Sequence, residues 1–508
     1  MRKIPYGISD YKKIREQDYI YIDKTQYIEK IENTSTLIYV RPRRFGKTLF
    51  TSMMSYYYDI QEEENFEKLF KGMYIYNNQA KNRNAYYILN FNFSGMNISG
   101  SKTSIEIEKS FNDNVYLSCQ NFIKKYNLDI KLQENKVAAT TLLALLSQFQ
   151  TLNKENKIYI IIDEYDHFTN GMLEGNVLGF LKVLGQGGFV RAFYEVIKRF
   201  AEGVNSVVDR FFATGVAPLT LDSLTSGFNI ATNISLEQKY TAMCGLTEQE
   251  LKILLEELQM PENILEYLKQ NYDGYRFSTK SEEHTFNTTL VMYYLKYYEE
   301  NGEPPEDPID GNLATTGDKI EGIVNLMNPE ANYKKLMELM KEGQVSGGLI
   351  KQFELNDSKF DTYSFLSLLF YNGYVTIKDV GMSVQFSIPN YVSEVLYATY
   401  FTAMISKNEE YNIETQNIKD AIIELGEKGD IEPITQIVQN FLMYQSTRDK
   451  ENFNEKTLKY LYSMFLSLTK QFHVYGEFPA MQGFADVYVK KTERRQTKKN
   501  IQEIFIRK

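Results

Sequence analysis

Apolar residues fall along this chain in two patterns. Short apolar runs that end on polar or charged residues occur at Thr36–Val40, Tyr86–Phe93, Lys157–Asp163 and Arg210–Val216. The stretch Ile158–Ile162, uninterrupted and rich in β-branched residues, has the form of a strand buried on both faces of a parallel sheet. Between the runs lie segments with helical spacing. Residues 47–59 turn Leu49, Phe50, Met53, Met54 and Tyr57 toward a core, 101–155 read as helices, and Val190–Glu202 forms another. This order predicts a parallel five-stranded sheet flanked by helices, a three-layer α/β arrangement. Ahead of it, Gly7–Tyr11 predicts a turn capping a short helix, and Tyr19–Thr25 a short strand ending in a polar turn. A glycine-rich loop, Gly171 to Gly188, follows the third run.

Beyond residue 235 the spacing is mostly helical. Thr247 followed by Glu250 has the form of a capping box. Residues 355–395 predict a small α+β module of winged-helix type, with Tyr374–Lys378 and Ser383–Ile388 as paired strands. Gly483–Val489 and Ile504–Lys508 predict two further strands, and the basic run from Lys490 to Lys499 predicts the tip of a hairpin.

Composition narrows the function. With 508 residues the chain has room for two to four domains with substantial cores. A net charge of −9 argues against a surface uniformly coated for nucleic acid, leaving a local basic groove open. Two cysteines, Cys119 and Cys244, and three histidines disfavour a disulfide framework and a Cys- or His-based metal site. No apolar stretch follows Met1-Arg2-Lys3-Ile4-Pro5 and no window resembles a membrane span, so an intracellular, cytoplasmic soluble protein without a membrane partner is expected.

The chemistry concentrates at the strand ends. After Val40 comes Arg41-Pro42-Arg43-Arg44-Phe45-Gly46-Lys47-Thr48, and a helix begins at once. A loop of this kind cradles phosphates, because backbone N–H groups and the helix dipole both favour anions. Lys47 is placed to reach the terminal phosphates and Thr48 to ligate magnesium. The general pattern has glycine where this chain has Arg41. The run 157–163 ends in Asp163-Glu164, at the sheet edge where open α/β sheets bind ligands. Asp163 would hold magnesium through water, and Glu164 would orient or deprotonate the attacking water. Thr214 ends the last run. It either positions that water or satisfies a local turn.

Together these residues closely resemble the AAA-ATPase-like family typified by the loop Arg41–Thr48. The resemblance also rests on Gly7–Asp10, Tyr21–Thr25, Phe91–Gly95, Ile161–Asp166 and Thr214–Val216, and extends through Asn271–Phe277, Phe370–Thr376 and Ile388–Asn390. Arg41 is ordinary for that family. The resemblance implies ATP and Mg2+ as cofactors. It divides the chain into a P-loop domain (1–232), a helical lid (233–300), a helical and winged-helix-like middle region (301–400) and a C-terminal part (401–508). It also places Arg276 to reach the γ-phosphate from the lid, the alternative being a surface salt bridge. Arg43 and Arg44 would neutralise phosphate charge or meet an acidic partner across an oligomer interface.

Family members usually end in a PD-(D/E)xK nuclease domain, whose metal needs an Asp and then a Glu-x-Lys on the next strand. Here Asp486 and Lys508 match, Glu477 stands near the auxiliary acid, and Ile506 occupies the glutamate position. The expectation is an incomplete, inactive nuclease-like α+β remnant that serves as a binding module: the basic run is either a solvated turn or a grip on phosphate backbones. Three functions follow. The first is an ATPase that couples nucleotide to a partner, nucleic acid or another protein met through the C-terminal region, with oligomerisation open. The second is an ATP-regulated, metal-dependent DNA nuclease. The third is a switch or scaffold that does not hydrolyse.

Overall fold

The computed structural model describes residues 2–96, 104–152, 154–167, 188–203, 205–218, 230–305, 307–309, 317–351, 353, 360–407, 414–443, 458, 461–462, 464–466, 468, 472–480, 483–491 and 503–506. Lys508, the stretch Gly171 to Gly187 and the basic stretch 492–499 lie outside the described residues.

Five parallel strands form the main sheet: β1 (Thr36–Val40), β2 (Tyr86–Asn92), β3 (Lys157–Asp163), β4 (Val208–Gly215) and β5 (Thr232–Asn233), in the order β2-β3-β4-β1-β5. Each residue of β1 is buried, as is β3 beyond its first residue. That is why both read as unbroken apolar runs. The fifth strand, two residues long, has no pattern in the sequence. Because β4 lies between β1 and β3, the register sets Tyr39 and Asp163 on either side of Thr214. The phosphate-type loop, Thr214 and the acidic pair therefore share one edge of the sheet.

The helix Lys47–Tyr58 follows the loop, and Ser104–Tyr126, Ala138–Thr151 and Phe189–Ala201 complete the layers within one continuous core. Tyr19–Thr25 departs from expectation. Tyr19 makes only an isolated bridge to Lys3, and no strand forms. Ile20 is instead spent on a second apolar cluster, with Ile4 and the helices Glu248–Glu257, Asn263–Tyr272 and Thr288–Asn301. Burial there replaces sheet pairing as the use of its apolar side chain.

A three-stranded antiparallel sheet, β6 (Val345–Gly347), β8 (Val384–Ser387) and β7 (Thr376–Val380), carries the hairpin of the α+β module. It is locked to the helical region. Gly274, at φ 94°, passes so close to Pro389 that a Cβ would stand 2.2 Å from its carbonyl oxygen, and Asn390 Nδ2 donates to the Asp273 carbonyl at 2.7 Å.

A third antiparallel sheet contains β9 (Phe472–Ala480), β10 (Gly483–Lys491) and β11 (Glu503–Ile506). Its register pairs Ala485 with Phe478 and Val487 with Gly476, so the backbones of Asp486 and Glu477 lie between those two pairs. Glu503 pairs with Lys490 and Ile506 with Val487. Among the described residues, no helix is long and apolar enough to cross a membrane.

Candidate functional site

The loop that leaves β1 is held by its carbonyls. Arg43 O accepts from Asn287 Nδ2 at 3.3 Å, Arg44 O from the Thr289 amide and hydroxyl at 3.1 and 3.0 Å, and Phe45 O from Gly245 N at 2.9 Å and the Thr288 hydroxyl at 3.2 Å. The N-terminal turn of the helix Thr288–Asn301 thus grips three successive loop carbonyls from outside. Two residues make the sharp bend possible: Arg44 at φ 70° and Gly46 at φ 95°. Gly46 caps the helix that begins with Lys47, whose N-terminus is suited to anions.

The loop borders a cleft of about 470 Å³. Arg43, Arg44, Lys47 and Thr48 line it with Glu164 and His167, giving it a mainly cationic stretch of wall. Ile8, Ile20, Ile22, Leu246 and Met292 also line it and supply an apolar surface fit for a flat ring. Nothing in the sequence marked that surface, because its residues carry no motif and meet only through folding. Lys24, from the element Tyr21–Thr25, also lines the cleft, and its ammonium is held by Glu250 at 2.6 Å and by the Ala242 carbonyl at 2.9 Å.

Lys47 is buried, and its Nζ donates to the carbonyls of Arg41 and Pro42, both at 3.0 Å. It arches over the loop. Asp163 is also buried, and neither carboxylate oxygen has a contact that meets hydrogen-bond geometry. Burial holds its carboxyl above the ordinary range, only partly offset by the nearby Thr48 hydroxyl and the Lys47 charge. The Thr214 hydroxyl, beside it in register, is likewise buried without a partner. It does not satisfy a local turn. A buried carboxylate and a buried hydroxyl left unmatched by the protein are donors a hard cation can take.

Glu164 sits in the left-handed region at φ 54°, an uncommon conformation that turns it out of the strand line toward the cleft. Burial would raise its pKa. The hydrogen bond from His167, with Nδ1 3.2 Å from Oε2, and the charges of Lys47, His167 and Arg43 outweigh that and hold it at about 2. His167 carried no role in the sequence reading. Its signal would have been a titratable residue one helical turn beyond the glutamate.

The turn after β3 is anchored on β4. Asp166 accepts from the amides of Val216 and Ala217, and the Tyr165 amide donates to Thr214 O at 3.0 Å. Gly215 is where they meet: a Cβ there would stand 2.3 Å from Asp166 Oδ1 and 2.6 Å from the Tyr165 ring. Gly215→Ala is expected to cost on the order of 1–3 kcal/mol of stability, read as a lower urea midpoint. An unchanged midpoint would contradict this packing.

Residues 5–225 match the family model described as a predicted AAA-ATPase. The matched segment holds the loop, the acidic pair and Thr214. The chain is also similar to a protein of Azotobacter chroococcum mcd 1 described as an uncharacterized protein in the vnfD 5′ region, at 24% identity over 384 residues. That match covers 75% of this chain and 65% of the relative, so the chain spans just under two thirds of the relative's length.

Two arginines expected at the nucleotide stand elsewhere. Arg41 is turned into the core. Its guanidinium donates to the carbonyls of Val40, Ser235, Tyr240 and Thr241 and lies 4.4 and 4.3 Å from the ring centres of Tyr39 and Phe277. Arg276 does not line the cleft; its guanidinium is buried and pairs with the exposed Glu282, which is the salt-bridge alternative of the sequence reading. Its Nε donates to Ser281 O at 2.6 Å, its guanidinium meets Glu282 at 2.8 Å, and its amide donates to Thr376 Oγ1 at 2.8 Å. Pro42 faces away from the cleft too, packing on Gly373, where a Cβ would stand 2.9 Å from Pro42 Cβ. Phe45 packs edge-on against Tyr275 and Phe277, with ring centres 5.0 and 5.3 Å apart. The scattered motifs 271–277, 370–376 and 388–390 therefore converge behind the loop and brace it.

Proposed function

We propose that this chain is a Mg2+-dependent P-loop ATPase, organised as a nucleotide domain (1–232), a helical lid (233–300), a middle region (301–400) and a nuclease-like C-terminal module (401–508). The observation that carries this reading is the group at the sheet edge: Asp163 and Thr214, buried and unmatched, beside Lys47 and Thr48 at a helix N-terminus. The apolar surface of the cleft takes the base. Lys47 leaves the two loop carbonyls for the β- and γ-phosphates, and Arg43 and Arg44 add charge at the cleft wall. Thr48 and Asp163 would hold magnesium, which would supply neutralisation of phosphate charge. Glu164 and Thr214 orient the attacking water.

Hydrolysis is coupled to a partner, nucleic acid or protein, through the C-terminal module. That module is proposed to bind without cutting. The backbone of Glu503 is four positions along the strand from Asp486, on the order of 13 Å, which is far for a second ligand of one ion.

The test is phosphate release from ATP and GTP with magnesium, for the wild type and Lys47→Ala, with and without DNA. ATP turnover is expected in the wild type, and Lys47→Ala should weaken nucleotide binding roughly a hundredfold. Tight binding without phosphate release would replace this reading by a nucleotide-dependent switch. Magnesium-dependent cleavage of the added DNA would instead favour the nuclease.

A further inference from the structure

We propose that Thr288 and Thr289 are positioning residues of the nucleotide site: their hydroxyls hold the loop peptides in the orientation that presents amides to phosphate, so the segment carrying them sets nucleotide affinity. The inference rests on the nucleotide reading above. From Arg41 to Gly46 the loop has glycine only at its last position, so glycine turns do not set its path. Its carbonyls are held from two sources instead. Those of Arg41 and Pro42 accept from Lys47 Nζ, at 3.0 Å each. Those of Arg43, Arg44 and Phe45 accept from Gly245, Asn287, Thr288 and Thr289. When Lys47 leaves for a phosphate, the second group stays in place.

Peptide geometry gives the two hydroxyls their role. A planar trans peptide points its C=O and the following N–H in opposite directions. A donor that holds the Arg44 carbonyl therefore also aims the Phe45 amide, and one that holds the Phe45 carbonyl aims the Gly46 amide. Arg44 is the critical position. It is a non-glycine residue at φ 70°, a conformation that costs energy. Its carbonyl takes two donors, the Thr289 amide at 3.1 Å and the Thr289 hydroxyl at 3.0 Å. Without that hydroxyl less opposes rotation of the peptide between Arg44 and Phe45, and a rotated peptide turns a carbonyl oxygen toward the phosphates. The donors also belong to one unit. Leu246 and Phe286 exchange backbone hydrogen bonds of 3.2 and 2.7 Å, which join Gly245 to the turn that carries Thr288 and Thr289. The same region receives the Arg41 guanidinium, through the carbonyls of Ser235, Tyr240 and Thr241. Donors that favour the amide-presenting loop raise affinity by the population they add to it.

The experiment uses the full-length wild type, the double variant Thr288→Val with Thr289→Val, each single valine variant, and Thr288→Ser with Thr289→Ser. All are titrated with fluorescent ADP and a non-hydrolysable fluorescent ATP analogue in magnesium, and hydrogen exchange of the segment 42–48 is followed without nucleotide. Valine keeps the shape of threonine and removes the hydroxyl donor. The double valine variant is expected to lose about tenfold in affinity for both nucleotides and to exchange faster in the loop, with the serine variant recovering most of both effects. If the double variant does not fold, the single variants carry the test, with a loss of about threefold each. Unchanged affinity would overturn the role of the two threonines. Lost affinity with unchanged loop exchange would overturn it too, because the hydroxyls, which line the cleft, would then be touching the nucleotide themselves. Both results leave the nucleotide site standing. A wild type that binds neither nucleotide would overturn the site and the inference together.

Discussion

Glu164→Gln is expected to lower ATP turnover by about two to three orders of magnitude while Mg·ATP affinity stays within about a factor of three. The substitution keeps the shape of the side chain and removes its charge. In this conformation the carboxylate is held at about pKa 2, because the pull of His167, Lys47 and Arg43 exceeds the effect of burial. So weak a base orients and polarises water more than it takes a proton. It becomes a better base if the His167 contact, 3.2 Å here, opens as nucleotide draws Lys47 away. Steady-state phosphate release and nucleotide titration on the same preparation check the expectation. Turnover at the wild-type rate would remove Glu164 from the chemistry and leave Thr214 and the loop cations to carry it.

Arg41→Ala is expected to destabilise the protein by roughly 3–5 kcal/mol in the absence of nucleotide. Truncation would leave four carbonyls without their donor, and a cavity between Tyr39 and Phe277. The charge sits deep enough that burial lowers its pKa, and carbonyl dipoles and ring faces hold it in place of a counter-ion. A phosphate ligand at this position would behave oppositely, weakening nucleotide binding and leaving the free protein as stable as before. Urea unfolding without nucleotide separates the two. An unchanged midpoint with lost ATP affinity would return Arg41 to the cleft.

These two arginines show how much of the site the sequence could convey. A glycine-based loop can approach phosphate with its backbone; a chain with arginine there must send the side chain somewhere. Sequence alone left the cleft as the natural destination for it. Carbonyls 194 to 200 positions away decided otherwise, together with the aromatic faces of Tyr39 and Phe277. Arg276 followed the same course, because Ser281, Glu282 and Thr376 offered a complete set of partners.

What the sequence determined by itself is contiguous: the apolar runs of β1, β3 and β4, the loop ending in Gly46-Lys47-Thr48, the acidic pair and the helix after the loop. Each is set by neighbours in the chain, since strand burial, turn chemistry and helix capping act over a few residues. Tertiary structure alone decided which cations face the cleft, what supplies its apolar surface, and that Asn287, Thr288 and Thr289 hold the loop by its carbonyls. Those choices depend on side chains hundreds of residues apart competing for the same buried partners, and only packing settles such a competition.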